Sequence, residues 1–162
     1  SYTDTKRDIA IVSAEAGANR TETGNSHDDN ELSEWANDGR LSTAWITYTL
    51  AEKASVDDIC IKLNGWRSRS YPLEVYAGDE LIWSGNTEKS LGYVHLEVDK
   101  PVCSDKITVR LKGSTTDKDA FGQIVEVAGG AANDMEKKAK EGKGKHNLRI
   151  IEIEFLESIK SR

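Results

Sequence analysis

Ala44-Trp45-Ile46-Thr47-Tyr48-Thr49-Leu50 and, shortly after it, Val56-Asp57-Asp58-Ile59-Cys60-Ile61-Lys62-Leu63 alternate in side-chain character with a period of two. In the first run Trp45, Thr47 and Thr49 share one side, and Ile46, Tyr48 and Leu50 share the other. In the second, Ile59, Ile61 and Leu63 oppose Asp58, Cys60 and Lys62. Successive side chains of a strand point to opposite faces, so such runs are strands with one buried face. Working outward, residues 73–77 and 80–83 flank Gly78-Asp79, a tight hairpin, and 93–98 and 106–111 repeat the pattern. A short strand at 123–127 follows, and 148–156 closes the chain with Ile151, Ile153 and Phe155 alternating against Glu152 and Glu154. Toward the start, 8–14 with Ile9, Ile11 and Val12 reads as a modest strand and 16–29 as a loop. Residues 29–35 read as one helical turn in which Leu32 and Trp35 share a face, and strand alternation assigns Trp45 and Trp83 to the core. Short strands, regular turns and little helix predict an all-β antiparallel β-sandwich of the jelly-roll kind.

The 162 residues suit one domain, 1–162, with 37% hydrophobic and 31% charged residues. A net charge of −6 argues against a nucleic-acid binder, which carries a concentrated basic surface. No apolar run reaches the ~18–20 residues needed to cross a bilayer. Residues 1–8 lack the apolar segment of a signal peptide, as expected of a mature or excised fragment. Cys60 and Cys103 either pair in an oxidising compartment or remain separate half-buried thiols. Residues 129–147 break the strand rhythm as a Gly-, Ala- and Lys-rich insertion carrying Lys137, Lys138, Lys140, Lys143 and Lys145. The segment reads as a solvated connection between strands, or else as a contact surface for an anionic glycan.

Trp35-Ala36-Asn37-Asp38-Gly39-Arg40-Leu41-Ser42-Thr43-Ala44-Trp45 carries an Asp-Gly, a Thr four residues after the Gly and a Trp two further on. The stretch resembles the early loop of discoidin, or coagulation factor 5/8 type C (galactose-binding-like), domains. The similarity is closest to carbohydrate-binding module family 32, found attached to bacterial glycoside hydrolases. Ile151-Glu152-Ile153-Glu154-Phe155 resembles the family's closing strand. Residues 65–76 and 81–85 are similar to its central strands, and 90–93 and 121–126 to its fuller wording. The likeness spans roughly 36–157, with 113–147 longer than the family's usual connection.

The resemblance implies a structural calcium ion, held by the Asp38 side chain, the Thr43 side chain and carbonyl, Glu152, and carbonyls near Trp35, Arg40 and Ile151. On the residues alone, Asp38 and Thr43 offer the hard oxygens calcium prefers, while an Asp-Gly also makes an ordinary turn. The resemblance further implies a non-catalytic, monomeric module that binds an oligosaccharide or polysaccharide. Its partner is a parent catalytic domain in the same chain, in a protein secreted, periplasmic or on a bacterial cell surface.

Sugar recognition needs aromatic faces for the C–H side of a pyranose and planar polar groups for its hydroxyls. Asn64-Gly65-Trp66-Arg67-Ser68-Arg69-Ser70-Tyr71 supplies both. Trp66 is the stacking candidate, with Arg67, Arg69 and Asn64 as hydrogen-bond partners and Tyr71, Asn86 and Tyr93 as further candidates. The competing expectation is that Trp66 packs on a sheet edge while the arginines pair with surface carboxylates. Galactose-binding members carry a His and an Arg…Asn pair in neighbouring loops; here the histidines are His27, His95 and His146, and none follows Trp45 closely. A protein- or membrane-surface adhesion domain is the alternative class, although the candidate loop tips are polar. No Ser-His-Asp spacing, HExxH or phosphate loop points to an enzyme.

Overall fold

The computed structural model describes residues 5–88, 90, 92–117 and 146–159. The 123–127 strand and all of the 129–147 insertion except His146 and Asn147 lie outside the described residues. Two antiparallel sheets face each other. The first runs β1 (Thr5–Ile9), β12 (Arg149–Ile159), β5 (Asp58–Leu63), β9 (Tyr93–Glu97), with β3 (Trp35–Ala36) also pairing β12. The second runs β2 (Ile11–Ala16), β4 (Trp45–Ser55), β10 (Cys103–Leu111), β7 (Pro72–Ala77), β8 (Glu80–Asn86). A small ribbon joins β6 (Arg69–Ser70) to β11 (Thr116–Asp117).

The core lies between the sheets. Ile46, Tyr48 and Leu50 of β4, Leu73 and Val75 of β7, and Ile107, Val109 and Leu111 of β10 meet Ile59, Ile61, Leu63, Ile150, Ile153 and Phe155 of the first sheet. All are buried, each such side chain contributing about 1.5–3 kcal/mol relative to exposure. Tyr48 and Phe155 meet edge-on with centroids 5.3 Å apart, and the Tyr48 hydroxyl shares a 2.9 Å hydrogen bond with Ser26 Oγ.

Several expectations are corrected. The 8–14 strand is two strands, because the chain crosses from one sheet to the other at Ala10, whose carbonyl accepts from Ala51 N–H at 2.9 Å. The 16–29 loop contains a 3-10 helix, Arg20–Ser26, in which Ser26 Oγ bonds back to the Thr23 carbonyl at 2.8 Å. The helical turn at 29–35 is absent: Leu32 is 96% exposed while Trp35 is fully buried. Asp28 and Asn30 side chains instead accept from the backbone N–H groups two residues on, at 3.1 and 3.0 Å, making turns that compete with helix.

Trp45, expected in the core, is half-buried outside it, whereas Trp83 is half-buried and packs against the core. Trp45 shares its side of β4 with Thr47 and Thr49, and that is the outer face. In β12 the pairing shifts between Ile150 and Glu152. This irregularity turns Ile150 inward, leaves Ile151 half-exposed and buries Glu152 beside Ile153. Asp58, expected outward, is nearly buried, accepting from Lys6 at 2.7 Å and facing His95 at 3.0 Å. Cys60 and Cys103 are free thiols on different sheets. Burial, then Glu154 and Asp58, push the Cys60 thiol up to about 11.

Candidate functional site

β5 ends at Leu63, and the chain turns through residues 64–68 before β6. Gly65 takes a φ of +77°, a conformation that side-chain-bearing residues avoid, and its carbonyl accepts from Ser68 and Arg69 N–H at 3.0 and 2.8 Å. The turn is anchored on three sides. Asn64 N–H donates to the Arg149 carbonyl at 3.0 Å, and Ser90 N–H donates to the Trp66 carbonyl at 3.2 Å. The Tyr71 hydroxyl donates to the Asn64 carbonyl at 2.7 Å.

On this turn stands an aromatic and cationic group. Lys62 Nζ lies 5.7 Å from the Trp66 ring centre and 5.6 Å from that of Tyr93, and it pairs with Glu31 at 3.1 Å. The Arg67 guanidinium lies 4.9 Å over the Trp66 ring. Beneath, Glu34 accepts two bonds from the Arg149 guanidinium, at 2.7 and 3.0 Å, and one from Asn64 Nδ2 at 3.0 Å. Tyr93 is 38% exposed; its hydroxyl is pushed up to about 12 by burial and then by the charge of Glu31.

Of the sequence candidates, Trp66, Arg67, Asn64 and Tyr93 therefore come together. Arg69 packs across Gly65, and its charge bears on the Tyr71 hydroxyl. Tyr71 is corrected: it is fully buried and offers no face to a ligand, and it holds the turn from below. Asn86 is exposed opposite Pro72 at the end of β8. No hydrogen bond or ring contact among the described residues joins it to Trp66. Lys62, Glu34 and Arg149 belong to the group but were not sequence candidates. Lys62 was findable, since alternation in β5 places it outward two residues before the turn.

The second candidate set centres on Asp38. The Thr43 hydroxyl donates to the Asp38 carboxylate, which also accepts from Arg40 N–H at 3.2 Å, and these bonds hold the carboxyl below its ordinary value. Asn37 Nδ2 donates to the Arg40 carbonyl at 2.8 Å, to the His146 carbonyl at 3.0 Å and to Thr43 Oγ1 at 3.3 Å. Asn37 Oδ1 accepts from Leu148 N–H at 2.8 Å, which fixes the amide's orientation. The backbone of Gly17 approaches Thr43 so closely that a side chain at 17 would collide with it.

Tested against calcium, the Arg40 carbonyl, Thr43 Oγ1 and the His146 carbonyl are hard oxygens around the Asn37 amide nitrogen, and Asp38 joins them through Thr43. They fit a hard cation in kind. Glu152 is not brought to them: its Oε1 accepts from Asp29 N–H at 2.7 Å. Burial first, then neighbouring Asp28, raises the Glu152 carboxyl to about 7. Trp35 is fully buried, with Nε1 donating to the Ala18 carbonyl at 3.0 Å, and pairs with Ile150 in the ladder that Ile151 follows.

No protein-family model and no curated protein matches the chain. Solved structures do. A truncated AlyQ with CBM32 and alginate lyase domains superposes with TM-score 0.69 at 13% identity, over 98% of this chain and 35% of that one. The chain thus spans about a third of that protein's length. The CBM32 of AlyQ in complex with 4,5-unsaturated mannuronic acid gives TM-score 0.65 at 14% identity, over 92% of this chain and 97% of that one. The family 32 module of C. perfringens NanJ in complex with galactose gives 0.57 at 14%, over 94% and 100%. At these identities the likeness is one of fold: the two antiparallel sheets form the CBM32 β-sandwich, the F5/8 type C galactose-binding-like fold.

Proposed function

We propose that the chain, which has the fold of family 32 carbohydrate-binding modules, is a non-catalytic module that holds a polysaccharide rich in uronic acids against Trp66 and keeps an attached enzyme on that polymer. The observation that carries this is the Lys62–Trp66–Tyr93 group, with Arg67 over the Trp66 ring. Two aromatic rings suit the apolar face of a pyranose, and Lys62 and Arg67 set cationic groups against the Trp66 ring, where a sugar carboxylate would be met. Arg67 is exposed and can swing from the ring to a sugar carboxylate. Glu34 is engaged by Arg149 and Asn64, and Glu31 by Lys62, so both accept existing bonds. Neither stands free as the paired acid and base of glycoside hydrolysis.

A single shallow site binds weakly; linkage to an enzyme raises the effective concentration of its substrate. The setting proposed is outside the cytoplasm, where polysaccharides are met. Calcium is proposed as a structural ion at Asp38, the Arg40 and His146 carbonyls and Thr43, where it would supply positive charge to oxygens now facing the Asn37 amide. The function is tested by affinity electrophoresis on alginate, polygalacturonate, galactan and xylan gels at low and high salt. Retardation by the uronate gels that weakens with salt is expected. Equal mobility on all four contradicts the proposal.

A further inference from the structure

The outer face of the second sheet carries a separate cavity, of about 590 Å³, lined by Leu41, Trp45, Tyr76, Asp79, Thr108 and Arg110 among others. That size falls within the ~300–1,000 Å³ of small-ligand sites. Its floor follows from strand register. Trp45 of β4 lies opposite Arg110 of β10, which lies opposite Glu74 of β7. In the next row Thr47 lies opposite Thr108, which lies opposite Tyr76. Inward neighbours Ile46, Val75 and Val109 are fully buried, so the alternate residues of these strands face out. The two aromatic residues are two strands and two residues apart, or about 12 Å at ~4.8 Å per strand and ~3.4 Å per residue. Between them run the Thr47 and Thr108 hydroxyls, sharing a 2.7 Å hydrogen bond, and the Arg110 guanidinium, 3.6 Å from the Glu74 carboxylate.

We propose that this face is a second glycan-binding site, specific for a neutral glycan chain lying diagonally across β4, β10 and β7 with pyranose rings on Trp45 and Tyr76. Two aromatic residues so spaced accommodate more than one sugar, while the hydroxyl row and Arg110 meet the ring hydroxyls. An anionic ligand is disfavoured because the cation here, Arg110, is already paired with Glu74 and exposed Asp79 adds a negative charge at the border of the cavity. That contrasts with the cationic Trp66 group. Nothing in this inference depends on the Trp66 site binding sugar.

The test follows the tryptophan indole N–H signals of the full 162-residue chain by ¹⁵N NMR, with each assigned by single substitution. Cellohexaose, xylohexaose, mannohexaose and oligogalacturonate are titrated separately. The expected result is that at least one neutral hexasaccharide shifts the Trp45 signal, and that Tyr76→Ala weakens this binding at least tenfold. Trp66→Ala should leave it within twofold. Should Tyr76→Ala unfold, Arg110→Ala serves, with the same loss expected. If none of the three neutral hexasaccharides moves Trp45, the proposal is overturned. A Trp45 signal that moves only with protein concentration also overturns it and identifies a self-association face. Loss of the Trp66 response to oligogalacturonate with the Trp45 shift intact would refute the proposed primary site alone.

Discussion

Replacing Tyr71 with Phe deletes one oxygen atom at a fully buried position and leaves the ring to fill the same volume. The expected cost therefore carries no cavity contribution and falls on the hydroxyl's bonds, chiefly the 2.7 Å donation to the Asn64 carbonyl and also its bond with Arg69. A net hydrogen bond contributes about 0.5–1.5 kcal/mol, and a partner left unsatisfied in a buried setting about 1–3 kcal/mol. The Asn64 carbonyl heads the turn that carries Trp66, so a loss of about 1–2 kcal/mol is expected. For a domain of this size that lowers Tm by roughly 2–8 °C, as about 1 kcal/mol shifts it by 2–4 °C. Sugar affinity should fall severalfold as well, although Tyr71 touches no ligand, because the turn gains freedom that binding must remove. Calorimetric melting and titration with oligogalacturonate measure both. A Tyr71→Phe protein that melts and binds like the parent would refute the view that this hydroxyl positions the turn.

Three further outcomes follow. Calcium at 100 times its Kd should stabilise the fold by about 2.7 kcal/mol in melting assays; Asp38→Ala should abolish the response, and Glu152→Gln, lying outside that oxygen group, should retain it. The folded-state Glu152 carboxyl titrates at about 7 against 4.5 for an ordinary Glu, so its contribution is complete below pH ~4.5 and lost as pH rises through 7. Urea unfolding across pH 4.5–8 should show that decline, and Glu152→Gln should flatten it by about 1–3 kcal/mol. Replacing residues 130–145 by a short turn should leave Tm nearly unchanged, since Met135 is their sole large apolar side chain. Extending the deletion through His146 and Asn147 should destabilise, because both bond to Asn37.

Much of the sandwich was legible because period-two alternation is a direct image of the pleat. β4, β5 and the β7–β8 hairpin stand where residues 44–50, 56–63 and 73–83 place them. Alternation states that two faces differ, and the partners decide which is inside. The assignment of Trp45 to the core by alternation fails on this point, since Thr47 and Thr49 share its side of β4 and mark the outer face. Sheet crossing at Ala10 and the irregularity at Ile151 leave no local signature, since each arises from how a strand meets neighbours distant in sequence. For the site, the types Trp66, Arg67 and Asn64 were readable from chemistry within one turn. Tyr71 was not, as only the fold decides whether its ring faces solvent or core. Glu34 and Arg149 are 115 residues apart and meet only because β3 and β5 both pair with β12.

The most direct measurement is titration of the parent and Trp66→Ala proteins with oligogalacturonate and oligomannuronate, with thermal melting of both. Trp66 is half-exposed and its backbone carbonyl, not its ring, ties the turn to Ser90. The substitution should thus leave Tm within about 3 °C, equivalent to about 1 kcal/mol, while lowering affinity at least tenfold. Undiminished binding by a folded Trp66→Ala protein would contradict the assignment of this turn as the carbohydrate site.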